Sequence, residues 1–173
     1  TGSAKNAVVT KEGGLKVFTP KGKYTVTIEN GNLKFDTGIA PAPVGLAEFI
    51  QSTEAGGSYS FAENQTLTGA VTTGNTDKGV FLNGNDLTGS HNEGITVAAN
   101  HTLNIMGNGK ISGFGTALKV ENTGVLNLES VIFSGNTTDV YNQGDMNIEG
   151  SVTMETLKGV GTTTIAQDAE LNL

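Results

Sequence analysis

"NTGVLNL" (Asn122–Leu128) and "NQGDMNI" (Asn142–Ile148) state one phrase twice, Asn-x-Gly-x-apolar-Asn-apolar, twenty residues apart. Its second half, an asparagine between two apolar residues, occurs at Leu103-Asn104-Ile105, Leu126-Asn127-Leu128, Met146-Asn147-Ile148 and Leu171-Asn172-Leu173. Successive copies lie 23, 20 and 25 residues apart. Side chains alternate across a strand, so the apolar pair faces one side and the asparagine the other. Asn122 and Asn142 are placed to take the turn, where asparagine tolerates left-handed φ and can bond backbone or a neighbouring asparagine. Gly124 and Gly144 suit the same corner.

Between the copies lie further short β runs, such as "KISGF" (Lys110–Phe114), "ALKV" (Ala117–Val120), "SVIFSG" (Ser130–Gly135) and "DVYN" (Asp139–Asn142). "SVTM" (Ser151–Met154) and "VGTTTI" (Val160–Ile165) continue the series. Each period therefore holds about three strands with Gly, Asn or Thr between them, which is the pattern of a β-solenoid. "TLTGAV" (Thr66–Val71) and "DLTGS" (Asp86–Ser90) read as earlier, degenerate units. The chain stops on Leu171-Asn172-Leu173, inside the phrase, and the expectation is a solenoid truncated from something longer.

The first 43 residues read differently. "AVVTK" (Ala7–Lys11), "LKVFT" (Leu15–Thr19), "YTVTIE" (Tyr24–Glu29) and "NLKFD" (Asn32–Asp36) predict a small β-meander, with Asn30-Gly31 as a tight hairpin turn. Pro41 and Pro43 cannot donate to a ladder and mark a linker. "GLAEFIQST" then sets Leu46, Phe49 and Ile50 at helical spacing, which predicts a short amphipathic helix over about 45–54. Gly56-Gly57 ends it.

Composition narrows the function classes. The 173 residues carry a net charge of −7, the ten basic residues are all Lys, and there is no Cys or Trp. A nucleic-acid reader needs a basic stripe, and an anionic membrane surface would repel this chain. A chain rich in Gly, Asn and Thr, without cysteine, fits an exported bacterial β protein.

The organisation resembles the right-handed parallel β-helix class, which includes pectate-lyase-like proteins and bacterial autotransporter passengers. The likeness covers residues 44–173. Its most telling piece is "GLAEFIQSTEAGGSYSFAENQTLTG" (Gly45–Gly69), a helix, a glycine turn, a first strand and a polar turn. The resemblance implies an all-β, right-handed single-stranded parallel β-helix whose open first coil is covered by the capping helix. "FAEN" (Phe61–Asn64) and "FSGN" (Phe133–Asn136) also fit the Phe-x-x-Asn of chlamydial polymorphic membrane proteins, whose companion Gly-Gly-Ala phrase is absent here.

A β-helical polysaccharide lyase would need clustered Asp for calcium and a cationic base, for which only a lysine such as Lys110 or Lys119 is available. Glycoside hydrolysis needs two carboxyl groups about 5–10 Å apart. Glu121, Glu129, Asp139, Asp145 and Glu149 fall at different phases of the repeat, and solvated surface acids are the expectation. His91 and His101 read as exposed turn residues without zinc-site spacing. "NGND" (Asn83–Asp86) and "GNTDKG" (Gly74–Gly79) offer oxygens to calcium but read as Asx turns, so no cofactor, metal or catalytic residue is assigned. The triplets at Asn64, Asn100 and Asn136 match an N-glycosylation pattern that an Asn/Thr-rich chain produces cheaply. Tyr24, Tyr59 and Tyr141 are the only phenolic rings, which limits sugar stacking.

The expectation is a non-enzymatic segment of a bacterial cell-surface or secreted protein of adhesin or autotransporter-passenger type. It would be a stiff stalk whose polar face meets a host-surface protein or glycan, without nucleic acid and without membrane insertion. Further coils of the same parent chain are possible neighbours. A polysaccharide lyase or glycoside hydrolase and a phage or secreted spike are the alternatives.

Overall fold

The computed structural model describes residues 45–53 and 56–173 in full, and within residues 1–44 only the backbone of four strands. Those four pair antiparallel in twos, Ala7–Lys11 with Gly14–Phe18 and Thr25–Glu29 with Asn32–Asp36. The turn expected at Asn30-Gly31 and the proline linker lie outside the described residues.

Residues from Gly45 onward form an all-β parallel solenoid of about five turns, preceded by one short helix. Each turn contributes one strand to each of three parallel sheets. The first sheet stacks Val71–Thr72, Glu93–Val97, Thr116–Val120, Thr138–Asn142 and Leu157–Gly159. The second stacks Gly57–Ser60, Lys78–Phe81, Thr102–Met106, Val125–Glu129, Asp145–Glu149 and Thr162–Ile165. The third runs from Gln65–Thr66 through Leu87–Thr88, Lys110–Ser112, Ile132–Ser134 and Ser151–Thr153 to Glu170–Asn172.

The strands exist because alternation gives each an apolar inner side, and register turns those sides into columns. On the first sheet Val71, Ile95, Leu118, Val140 and Leu157 succeed one another. On the second, Val80, Ile105, Leu128, Ile148 and Ile165 do the same. All but the last member of each column are buried.

The helix spans Leu46–Gln51 and buries Leu46 and Ile50 in the same core. Six residues cannot sustain a helix alone in water, so this burial holds it. Its carbonyl at Ile50 accepts the Gly74 N–H at 2.9 Å, tying it to the first full coil. Lys78 follows Gly57 in an inner column that continues through Leu103, Leu126 and Met146, and is 2% exposed. Its ammonium lies 5.2 Å from the centre of the Phe49 ring, a cation–π contact at the helix.

Two expectations about the phrase need correction. Leu171-Asn172 lies on the third sheet, where Leu171 pairs with Val152 and Asn172 with Thr153. The place expected for it on the second sheet belongs to Thr163-Thr164-Ile165. Apolar-Asn-apolar specifies a strand with one wet face, and any of the three sheets accepts such a strand.

The phrase starts are not equivalent either. Val120 pairs with Asn142 and Val125 with Asp145, so four residues turn the first corner and two the second. Asn122 is therefore exposed, while Asn142 occupies an inner position, is 2% exposed and, as expected, bonds the turn backbone, its Oδ1 accepting the Gly144 N–H at 3.1 Å. The left-handed residue of the longer corner is Thr123, at φ 66°. Gly144 is required for proximity: a Cβ there would run into the Gly124 carbonyl, whose oxygen accepts the Asp145 N–H at 2.9 Å.

Candidate functional site

The strands Thr102–Met106, Val125–Glu129 and Asp145–Glu149 lie side by side with no slip. Asn104, Asn127 and Asn147 consequently form one outward column, half-buried between their neighbours. Asn127 Nδ2 donates to Asn104 Oδ1 at 2.7 Å, and Asn147 Nδ2 donates to Asn127 Oδ1 at 2.8 Å. Gly79 precedes Asn104 in the column, and the series ends on the Lys78 carbonyl, which accepts from Asn104 Nδ2 at 3.2 Å. The carboxamides thus point their donors toward the helix end of the rod and their acceptors the other way.

Two residues further along each strand, Met106, Glu129 and Glu149 form the adjoining column. Glu129 and Glu149 are exposed and in register, on neighbouring strands that lie about 4.8 Å apart. Together with the asparagines these side chains line a shallow depression of about 200 Å³. Its chemistry is that of hydrogen bonding: carboxamide donors and acceptors beside two carboxylates and one thioether. This is the candidate site. The signal for it is "NLE" (Asn127–Glu129) followed by "NIE" (Asn147–Glu149), a recurrence that reading the phrase alone passes over.

The other candidates are dispersed. Lys119 lies on the first sheet and pairs with Glu121 at 2.8 Å. That hydrogen bond, aided by the charges of Glu121 and Glu93, holds its ammonium above the ordinary 10.5, while partial burial pulls the other way. A lysine base must be neutral, so this environment opposes the role. Lys110 lies on the third sheet, 3.5 Å from Asp86. Asp145 is exposed at the start of its strand.

Asp139 overturns the expectation of a surface acid: it is 0% exposed. Its Oδ2 accepts the backbone N–H groups of Glu155 at 2.6 Å and Thr156 at 2.9 Å, and its Oδ1 accepts Asn136 Nδ2 at 2.8 Å. Asn136 also accepts the Phe114 N–H and donates to the Ile111 carbonyl, each at 3.0 Å. A carboxylate can be buried when charge-assisted hydrogen bonds replace its water. The glycosylation triplet at Asn136 is therefore a buried staple between coils.

His91 is likewise not an exposed turn residue. It is half-buried, its ring meets Phe114 edge-on at 5.8 Å, and its Nε2 is buried without a hydrogen bond. Asp, Asn and Thr side chains near the corners also act between coils. Asp77 Oδ1 accepts the Thr102 N–H at 2.8 Å, Asn64 Oδ1 the Asp86 N–H at 2.9 Å, and Thr73 Oγ1 the Ala98 N–H at 2.9 Å. Corners interrupt the ladder and leave backbone donors that must be satisfied. Among the described residues no three His, Cys, Asp or Glu side chains converge as a metal shell. Tyr59 is spent on packing, 5.6 Å from Phe49 and 5.9 Å from Phe61, and Tyr24 lies outside the described residues. Compared with protein-family models, with curated proteins and with solved structures, the chain has no significant match.

Proposed function

We propose that this solenoid is a non-enzymatic segment of a bacterial cell-surface or secreted protein, of the adhesin or autotransporter-passenger type. Its work is presentation: a stiff stack of coils rising about 4.8 Å each holds a polar face toward a host-surface protein or glycan. The observation that supports this most is the in-register column Asn104–Asn127–Asn147 beside the Glu129–Glu149 depression. Side chains fixed by one another lose little rotamer freedom on binding, and a face of donors and acceptors complements hydroxyl groups. A binding array of glycans and host proteins tests the reading. Binding that falls when Asn127→Ala or Glu149→Ala is made supports it, and an array blank for the wild-type protein counts against it.

A second reading rests on one observation, the register of Glu129 with Glu149. The two glutamates stand on neighbouring strands about 4.8 Å apart, a backbone spacing compatible with the carboxyl separation of retaining glycosidases, about 5–5.5 Å. Release of reducing ends from a neutral or acidic polysaccharide, lost in Glu129→Gln and in Glu149→Gln, would favour this enzyme over the adhesin.

A further inference from the structure

Two Asn-Gly pairs fall among the described residues, Asn83-Gly84 and Asn108-Gly109, and both asparagines sit at positive φ, 52° and 54°. Their surroundings differ. Asn83 donates from Nδ2 to the Phe61 carbonyl at 3.1 Å, and the Gly84 N–H donates to the Gly107 carbonyl at 2.7 Å. Both groups that would react with one another are therefore engaged. At the second pair the Asn108 side chain is exposed and makes no hydrogen bond, and neither does the Gly109 N–H. Gly109 is buried on its Cα side, where a Cβ would meet the Asn85 carbonyl and Leu82. Only glycine fits there, and hydrogen bonding does not hold its nitrogen back from the Asn108 side chain.

We infer that Asn108 is a site of spontaneous modification, deamidating through its own backbone while Asn83 is protected. The deprotonated Gly109 nitrogen attacks Asn108 Cγ, the bond from Cγ to the side-chain nitrogen breaks, and ammonia departs with the proton. Solvent water then opens the cyclic imide at either carbonyl, leaving aspartate or isoaspartate. Either product adds a negative charge to a chain already at −7. Isoaspartate also lengthens the main chain between two bonds joining this coil to the next. These are Asn108 N–H to the Ser130 carbonyl at 2.7 Å and Ile132 N–H to the Gly109 carbonyl at 3.1 Å. Modification at Asn108 therefore loosens one coil junction with age.

The test is to hold the folded protein in mildly alkaline buffer and follow each asparagine by peptide mapping with isoaspartate detection. Asn30-Gly31 lies outside the described residues, and the map resolves it separately. Conversion at Asn108 is expected to run roughly tenfold or more ahead of Asn83, the factor set by opening two hydrogen bonds. In the denatured chain the two rates should converge, and Asn108→Gln should remove the local product without changing Asn83. Conversion of Asn83 as fast as Asn108 in the folded protein would overturn the inference. So would an Asn108 that stays intact when folded and converts only when denatured.

Discussion

An outward carboxamide could bond to water alone, yet Asn127 bonds to the same residue type on both neighbouring coils. Removing it leaves Asn104 Oδ1 and Asn147 Nδ2 without their partners at once. Asn127→Ala should therefore cost about 1–3 kcal/mol in urea unfolding, and Asn147→Ala, which breaks one such bond, less. Lys119 carries the pH dependence at this scale. Its folded value is raised, so its contribution is complete below the unfolded value of 10.5 and fades as pH climbs through the higher one. Glu121→Gln should lower the Lys119 titration, followed by NMR of the lysine side chain, with little change in stability because the pair is at the surface.

At the scale of the element, corners are decided by backbone proximity more than by residue preference. Gly144→Ala should destabilise the coil by well over about 1 kcal/mol, because its Cβ meets fixed backbone oxygens of Gly124 and Glu121. Gly69→Ala, with open space around it, should be neutral or slightly stabilising by up to about 1 kcal/mol. Thermal or urea unfolding of the two variants checks the contrast. Strands and helix were legible in the sequence because alternation and the Leu46, Phe49, Ile50 spacing are local signals. The inequivalence of Asn122 and Asn142 was not, since it depends on how many residues turn a corner before the next strand pairs. Asp139 escaped for a related reason. Its three hydrogen-bond partners lie at positions 136, 155 and 156, and only register brings the last two beneath it. The candidate site was half legible: the asparagines stood out, whereas Glu129 and Glu149, read as acids at different phases of the repeat, share one column.

At the scale of the solenoid from Gly45 onward, stability is carried by contacts between successive coils. The same geometry carries the functional proposal, because a face is presented only if its columns stay in register. The chain has no cysteine, so paired substitutions report register without interference. Residues paired across adjacent strands have Cα atoms about 4.8 Å apart, inside the 4.4–6.8 Å range that a disulfide spans, whereas two coils exceed it. The deciding measurement is oxidative cross-linking of the double variants Asn104→Cys/Asn127→Cys, Asn127→Cys/Asn147→Cys and Asn104→Cys/Asn147→Cys. The first two should link as folded monomers and the third should not. Closure of the third pair in preference to the first two would contradict in-register parallel stacking and the surface built on it.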